Sequence, residues 1–271
     1  MAFGYNIDIR KTNKRNHIVD LFRKNNVLSK AEAKRLSGYS MDTVITIFNQ
    51  LQMEYIILPT AGIQKSKGRK AHFFELNHNK NLYLGITFNQ SGIYSSIISF
   101  SNKLLYSHET KINLRLTKEE FIKKFKFHLL EIKELHPDLS ISITGIGCSI
   151  PGNIDTKNGV LFNYALLPDL NDIYFKEIIE KIYPEARIIV DHNISSMTYF
   201  LLTDYKLCEK YDKILFISGR TGAANGMIYK GDIIEGNGEM GHIKVSDEDK
   251  QCTCGRYGCL DCYFSYRGFM E

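Results

Sequence analysis

From residue 82 the chain carries three apolar segments in close succession, LYLGITF (82–88), IYSSIISF (93–100) and KLLYSHET (103–110), with only short polar turns between them. Strands joined this tightly pair antiparallel, so the three read as a meander. The pattern then changes. A helix spans about Thr117 to Leu135, and the strand SISITGIGCSIPGNID (140–155) follows it. A helix around Asp172–Ile182 leads to the strand RIIVD (187–191), a helix from about Ile194 and the strand KILFIS (213–218). Strands in a row, then strands alternating with helices, confine this part of the chain to an α/β fold with mixed sheets.

The first 80 residues obey a different rule. Three helical patterns fit within residues 1–55. The first, about Asn13 to Lys24, puts Ile18, Leu21 and Phe22 on one face. The second opens with SKAE, where Ser29 can cap the helix while Glu32 reaches back. It runs to the turn SGYS, whose Gly38 can take positive φ. The third starts after Ser40 and spaces Val44, Ile47, Phe48 and Leu51 for burial. Asp42, Thr43, Thr46, Asn49 and Gln50 lie on its other face. Two short strands, YIILP (55–59) and AHFFEL (71–76), flank a loop carrying Lys65, Lys67, Arg69 and Lys70 with Gly62 and Gly68. Helix, helix, turn, helix and basic hairpin in this order predict a winged helix-turn-helix. The wing and helix ends would meet phosphate, and Thr43, Thr46 and Asn49 would read bases. The alternative is a small helical packing domain with a charged hairpin.

Charge supports the split. Residues 1–80 hold 14 Lys/Arg against 6 Asp/Glu, a net of +8, while the remainder holds 21 against 24, a net of −3. A basic head on a mildly acidic body suggests that the head meets a polyanion, although a solvated basic surface would look the same. No apolar run reaches the roughly 18 residues of a membrane span, and the N-terminus lacks the apolar region of a signal peptide. A cytoplasmic location is expected, and in a reducing compartment the six cysteines argue against a disulfide framework.

Four of those cysteines, Cys252, Cys254, Cys259 and Cys262, fall within eleven residues, and His242 stands ten positions ahead of the first. Spacing alone leaves open a metal site, a redox device or a coincidence.

Several motifs in this order resemble the ROK family, which groups repressors, open reading frames and sugar kinases on the actin/hexokinase-like, ribonuclease H-type fold. GIGCSIPGNIDTKNGV is similar to the family's G-x-G-x-x-x-P-G stretch, and GRTGAANGMIYKGDI to its glycine-rich phosphate loop. GEMGH followed by CTCGRYGC is close to its G-E-x-G-H…C-x-C-G-x-x-G-C signature. The N-terminal segment is similar to the repressor branch, including GRK in the wing. The resemblance implies a winged helix-turn-helix at 1–76, a linker at 77–81 and a ROK domain at 82–271. The first lobe would cover about 82–190, with a second, incomplete lobe at about 191–271, because members of the family continue well beyond this length.

The resemblance also implies a structural zinc on His242, Cys252, Cys254 and Cys259. Thiolates and imidazole suit a closed tetrahedral site, and Gly255 and Gly258 allow tight turns between ligands. Cys262 is outside the set. Sugar contacts are implied for Gly152, Asn193, Glu239, His242 and Asp261. The departures argue against kinase chemistry. Thr87 stands where the family's kinases have a phosphate-site aspartate, and Asn89, Arg220 and Ala224 replace glycines. Asn193 occupies the position of the general-base aspartate, and an amide cannot take that proton at neutral pH. No catalytic residue and no bound ATP are therefore expected. The expectation is a regulator, a sugar-responsive repressor of carbohydrate genes, with double-stranded operator DNA, a sugar or sugar-phosphate effector and a homodimer mate as partners. The alternatives are a ROK-type sugar kinase and a ligand-blind DNA-binding remnant.

Overall fold

The computed structural model describes residues 14–60, 72–78, 80–113, 115–164, 166–204, 207–220, 222–234, 240–248, 250–265 and 268. The expected wing residues Lys65, Lys67, Arg69 and Lys70, and also Glu239, lie outside them.

The N-terminal unit is built from α1 (Lys14–Asn25), β1 (Val27–Ser29), α2 (Lys30–Ser37), α3 (Met41–Met53), β2 (Ile57–Thr60) and β3 (Phe73–Leu76). Local chemistry sets the helix ends. Ser29 Oγ accepts from the Glu32 backbone N–H while the Glu32 carboxylate accepts from the Ser29 N–H, so two orphan donors are satisfied at once. Gly38 closes α2 at φ 74°, and Ser40 caps α3 through the Thr43 N–H. The apolar stripes then meet. Ile18, Phe22, Val44, Phe48, Leu51, Ile57, Phe74 and Leu76 form one buried core. Phe48 lies at its centre, 5.4 Å from the rings of both Phe22 and Phe74. The sheet order is β1-β3-β2, all antiparallel. β1 is absent from the sequence expectation because three residues are too few to show a period.

A five-stranded sheet forms the centre of the second unit, in the order β11-β7-β4-β5-β6. Its elements are β4 (Leu82–Phe88), β5 (Gly92–Ile98), β6 (Leu104–Lys111), α4 (Lys118–Leu135), α5 (Pro137–Ile141), β7 (Ile143–Ile150), β8 (Asn153–Asp155), β9 (Val160–Asn163), β10 (Asn171–Tyr174), α6 (Phe175–Ile182) and β11 (Arg187–His192). β4 to β6 form the expected antiparallel meander, while β7 and β11 add in parallel to β4. Phe121 and Phe125 of α4 and Phe175 of α6 are fully buried, Phe121 and Phe175 against Phe88 and Phe125 against the other two, with ring centroids 4.9–6.1 Å apart. Each buried ring stabilises the fold by about 1.5–3 kcal/mol relative to an exposed one.

Two expectations need correction here. Ser140 and Ile141, read as the start of a strand, close the short helix α5, which Pro137 opens at a position where its missing N–H costs nothing. Asp172 to Tyr174, read as helical, belong to β10 of a small antiparallel sheet β10-β9-β8. The helix starts only at Phe175, once the chain has crossed to the core.

After β11 come α7 (Asn193–Asp204), α8 (Leu207–Lys210), β12 (Lys213–Gly219), β13 (Ala223–Tyr229), β14 (Asp232–Ile234) and α9 (Asp261–Phe264). β12-β13-β14 is an antiparallel sheet, and α7 packs against β13, β14, β11 and β7. A Cβ on Gly226 would lie 1.9 Å from Thr198 Oγ1, so the helix and strand touch backbone to side chain. Leu215, Ile217, Met227, Tyr229 and Ile234 remain exposed on the sheet. Among the described residues no helix is long and apolar enough to cross a membrane.

Candidate functional site

His242, Cys252, Cys254 and Cys259 come together as the sequence predicts. Their ligand atoms all lie within 4.8 Å of one another. A knuckle of backbone hydrogen bonds builds the site: Cys252 N–H donates to Arg256 O (2.7 Å), Gly255 N–H to Cys252 O (2.8 Å) and Gly258 N–H to Lys250 O (3.0 Å). Gly255 and Gly258 take φ of 85° and 70°, and a Cβ on Gly258 would stand 1.9 Å from Ser246 O. No other residue fits there. His242 ends a 3-10 turn, Met240–His242, and Leu260 N–H donates to Ile243 O, tying the turn to the last cysteine.

The donor geometry fits a tetrahedral ion. Cys254 Sγ and Cys259 Sγ are 3.8 Å apart, and Cys252 Sγ and His242 Nδ1 are 3.5 Å apart. Zinc–thiolate bonds of about 2.3 Å in a tetrahedron require sulfurs about 3.8 Å apart. Nδ1 is therefore the nitrogen aimed at the centre. Burial raises the Cys254 thiol, but Arg256, through its backbone and guanidinium, pulls it down to about 7. Cys259 is pushed up to about 12 by burial and by the other thiols. A cation at the centre removes that opposition by favouring every thiolate.

The knuckle is docked on the turn between β12 and β13. The Asp261 carboxylate accepts a hydrogen bond from the Ala223 N–H. A Cβ on Gly241 would lie 2.4 Å from Ala223 O and 3.1 Å from Asp261 Oδ1. Arg220 N–H donates to Gly222 O in the same turn, and Ala224 pairs with Ser218. Asp261, expected beside a sugar, thus has one oxygen committed to the backbone.

Gly152 and Asn193 lie at another edge, where the parallel strands end. Thr87, Ser149 and Asp191 stand in register across β4, β7 and β11. Gly152 has φ 93°, and a Cβ there would meet Asn163 O at 2.4 Å. Burial holds the His192 imidazole below its ordinary value, opposed by a hydrogen bond with the Gly152 backbone. Its Nδ1 accepts from Ile194 N–H at 3.3 Å, which fixes the ring at the start of α7. Asn193 follows as the first, half-buried residue of that helix. Asn89 Oδ1 accepts from the N–H groups of Ser91 and Gly92 and so shapes the β4–β5 turn. The string NQSG carries the signal for this side-chain turn, and the sequence reading passed over it. α7 contacts both the parallel strands β7 and β11 and the strands β13 and β14.

In the N-terminal unit, Thr46 and Asn49 are exposed on α3 and Thr43 is half-exposed. Thr43 Oγ1 shares a hydrogen bond with Ser40 Oγ (2.8 Å), and Thr46 Oγ1 donates to Asp42 O (2.8 Å).

Similar proteins fit this layout. The chain is 23% identical over 272 residues to the xylose repressor of Bacillus subtilis (strain 168), covering 97% of this chain and 68% of that protein. It is 22% identical to the DNA-binding transcriptional repressor Mlc of Escherichia coli (strain K12), covering 90% and 61%. The crystal structure of a ROK family transcriptional regulator, a homolog of E. coli Mlc, superposes with a TM-score of 0.70 at 18% identity, covering 95% and 66%. A ROK family glucokinase from Streptomyces griseus, solved with glucose and AMPPNP, superposes with a TM-score of 0.57 at 18% identity, covering 68% and 57%. The chain spans about two thirds or less of the length of these relatives, and at such identities the structures establish the fold. The family model describes more than half of the chain, residues 85–271, and with the strand order and the Cys/His knuckle in place the chain belongs to the ROK family.

Proposed function

We propose that the protein is a DNA-binding transcriptional repressor that responds to a sugar or sugar phosphate. The observation that carries this reading is coverage: the repressors match nearly the whole chain, N-terminal unit included, whereas the glucokinase structure covers two thirds of it. Residues 1–76 act as a winged helix-turn-helix, 77–81 as linker and 82–271 as the ROK domain. α3 enters the major groove, with Thr43, Thr46 and Asn49 toward base edges and Lys65, Lys67, Arg69 and Lys70 of the wing on phosphate. Three helices and a three-stranded sheet packed around one core, with an outward polar face on α3, support the assignment.

Zinc is the metal that best suits one imidazole and three thiols in a closed site. Its role is architectural: bound there, it joins the 3-10 turn at His242 to the β12–β13 turn through Asp261. Gly152, Asn193, Glu239, His242 and Asp261 form the effector site. Thr87, Arg220 and Asn193 leave no metal–phosphate carboxylate, a side chain in the phosphate loop and no general base, so the protein transfers no phosphoryl group. It acts in the cytoplasm as a homodimer, and the exposed apolar side chains of β12 to β14 offer surface for association.

Genomic-fragment capture on purified protein near physiological salt, followed by sequencing, tests this. A few sharply enriched sites beside carbohydrate genes are expected. Retention without site preference overturns the repressor reading. ATP-dependent phosphorylation of a hexose overturns the exclusion of kinase activity.

A further inference from the structure

Among the described residues, the N-terminal unit touches the second unit at the turn between β5 and β6. Between β5 and β6, Ser99 N–H donates to Lys103 O (2.9 Å), Asn102 N–H to Ser99 O (2.9 Å), and Lys103 N–H to the fully buried Ser99 Oγ (3.1 Å). The turn is closed on itself, with Asn102 in the left-handed region at φ 64°. Phe100 projects from it against the hydrophobic core of the N-terminal unit. Arg23 of α1 holds Phe100 in two ways. Its Nε donates to Phe100 O at 3.2 Å, and its guanidinium lies 4.8 Å from the ring centre. Asp20 Oδ1 accepts from Arg23 Nη1 at 2.9 Å and keeps the guanidinium in that pose. Beside this contact, His78 Nδ1 and Ser101 Oγ share a hydrogen bond of 2.7 Å. The Lys80 ammonium donates to Glu54 O, and Asn77 Nδ2 donates to Tyr55 O at 3.0 Å. The linker is thus fastened at both ends of its run.

The same hairpin reaches the effector edge. β5 begins at Gly92, beside the turn that Asn89 shapes, and ends at Ile98, one residue before the Arg23 contact turn. Seven residues of strand cover about 23 Å. One stiff element therefore runs from the end of the sheet that carries Thr87 to the N-terminal unit.

We propose that the β5–β6 turn is a latch that fixes the N-terminal unit on the ROK domain, with Arg23 and Phe100 as its positioning residues. Its use in setting the DNA-binding orientation rests on the repressor reading; the latch itself does not. With the latch closed, the linker is held against both units. With it open, the units pivot about residues 77–81 and Lys80 becomes reachable. The Arg23 contact combines a charged donor, a carbonyl and an aromatic face, a pairing whose loss shifts a local opening equilibrium by about tenfold, or about 1.4 kcal/mol.

The full chain, with Arg23→Ala and Phe100→Ala introduced singly and together, tests the proposal by trypsin cleavage after Lys80, followed by mass spectrometry. Each single variant should be cut there about tenfold faster. The double variant should be cut more slowly than the product of the two single effects predicts, because the guanidinium–ring contact is shared and is lost in either single variant. Arg23→Lys, which keeps the charge but loses the Nε donor, should fall between. An exposed control on α2, Arg35→Ala, should match the wild type. Cleavage rates unchanged in both Arg23→Ala and Phe100→Ala, or additive effects in the double variant, overturn the latch. If Phe100→Ala does not fold, the order wild type, Arg23→Lys, Arg23→Ala decides the matter, and a flat series refutes it. DNA retention by the wild type is scored separately: faster cleavage in the variants with no DNA binding by the wild type keeps the latch and removes only the repressor reading.

Discussion

His128 should make this protein lose stability in mild acid. It is fully buried on the inner face of α4, with Nε2 at 2.7 Å from Ser95 Oγ and Nδ1 at 2.8 Å from Thr110 Oγ1. One ring nitrogen donates and the other accepts, so the neutral imidazole is fully paired. Burial, reinforced by the nearby His108, lowers its pKa from 6.5 to about 4. His108 itself bonds Glu131 Oε2 at 3.1 Å and Tyr106 OH at 3.2 Å. A histidine whose folded pKa lies below its unfolded value stabilises the fold fully above about 6.5 and progressively less as pH falls toward 4. Over that interval the unfolded chain takes up a proton that the folded chain refuses. For the directions and values here, the loss is about 1 kcal/mol between pH 7.5 and 5.5, rising to about 3 kcal/mol near pH 4. Urea unfolding at pH 7.5, 5.5 and 4.5 reads this directly, provided that His128→Gln is measured beside the wild type. The glutamine keeps a donor and an acceptor but does not titrate. Groups distant from His128 contribute equally to both proteins, so the difference isolates His128 together with its coupling to His108. The wild-type advantage should shrink by about 1 kcal/mol between pH 7.5 and 5.5. Parallel curves for the two proteins across that range refute the reasoning.

Elemental analysis of purified protein should find about one zinc per chain, and Cys259→Ser should lose the metal together with stability; metal-free protein of unchanged stability would sink the assignment. Arg69→Ala should flatten the dependence of log affinity for DNA on log salt by about 0.9, one phosphate contact, and an unchanged slope would remove the wing from the interface. Gly226→Ala should cost about 1–3 kcal/mol in chemical denaturation, because its Cβ would fall 1.9 Å from Thr198 Oγ1, which is itself bonded to Ile194 O. No loss would mean that α7 lifts off β13 freely.

Much of the architecture was legible because it depends on near neighbours in the chain. The Ser29–Glu32 box, the φ 74° at Gly38 and the Thr117 cap of α4 need three or four residues each. Apolar spacing marked β4 and the buried face of α3. The closeness of His242 to the cysteines was legible for the same reason, since these residues lie between 242 and 262 with glycines where the chain must turn; the choice of Cys252, Cys254 and Cys259 over Cys262 came from the ROK resemblance. β9 and β10 escaped notice because they are four residues long and their exposure does not alternate.

By itself, then, the sequence determined the α2 cap, the buried face of α3, the antiparallel meander and the clustering of cysteines near His242, all features that close over short stretches of chain. Tertiary structure alone decided the pairings that span long ones. His128 finds Ser95 and Thr110 on strands 33 and 18 positions away. Asp261 reaches the Ala223 N–H, 38 positions away. Arg23 meets Phe100 across 77 residues. Such partners carry no local signature, because a buried polar group needs a mate of the right geometry and only the folded chain brings that mate within reach.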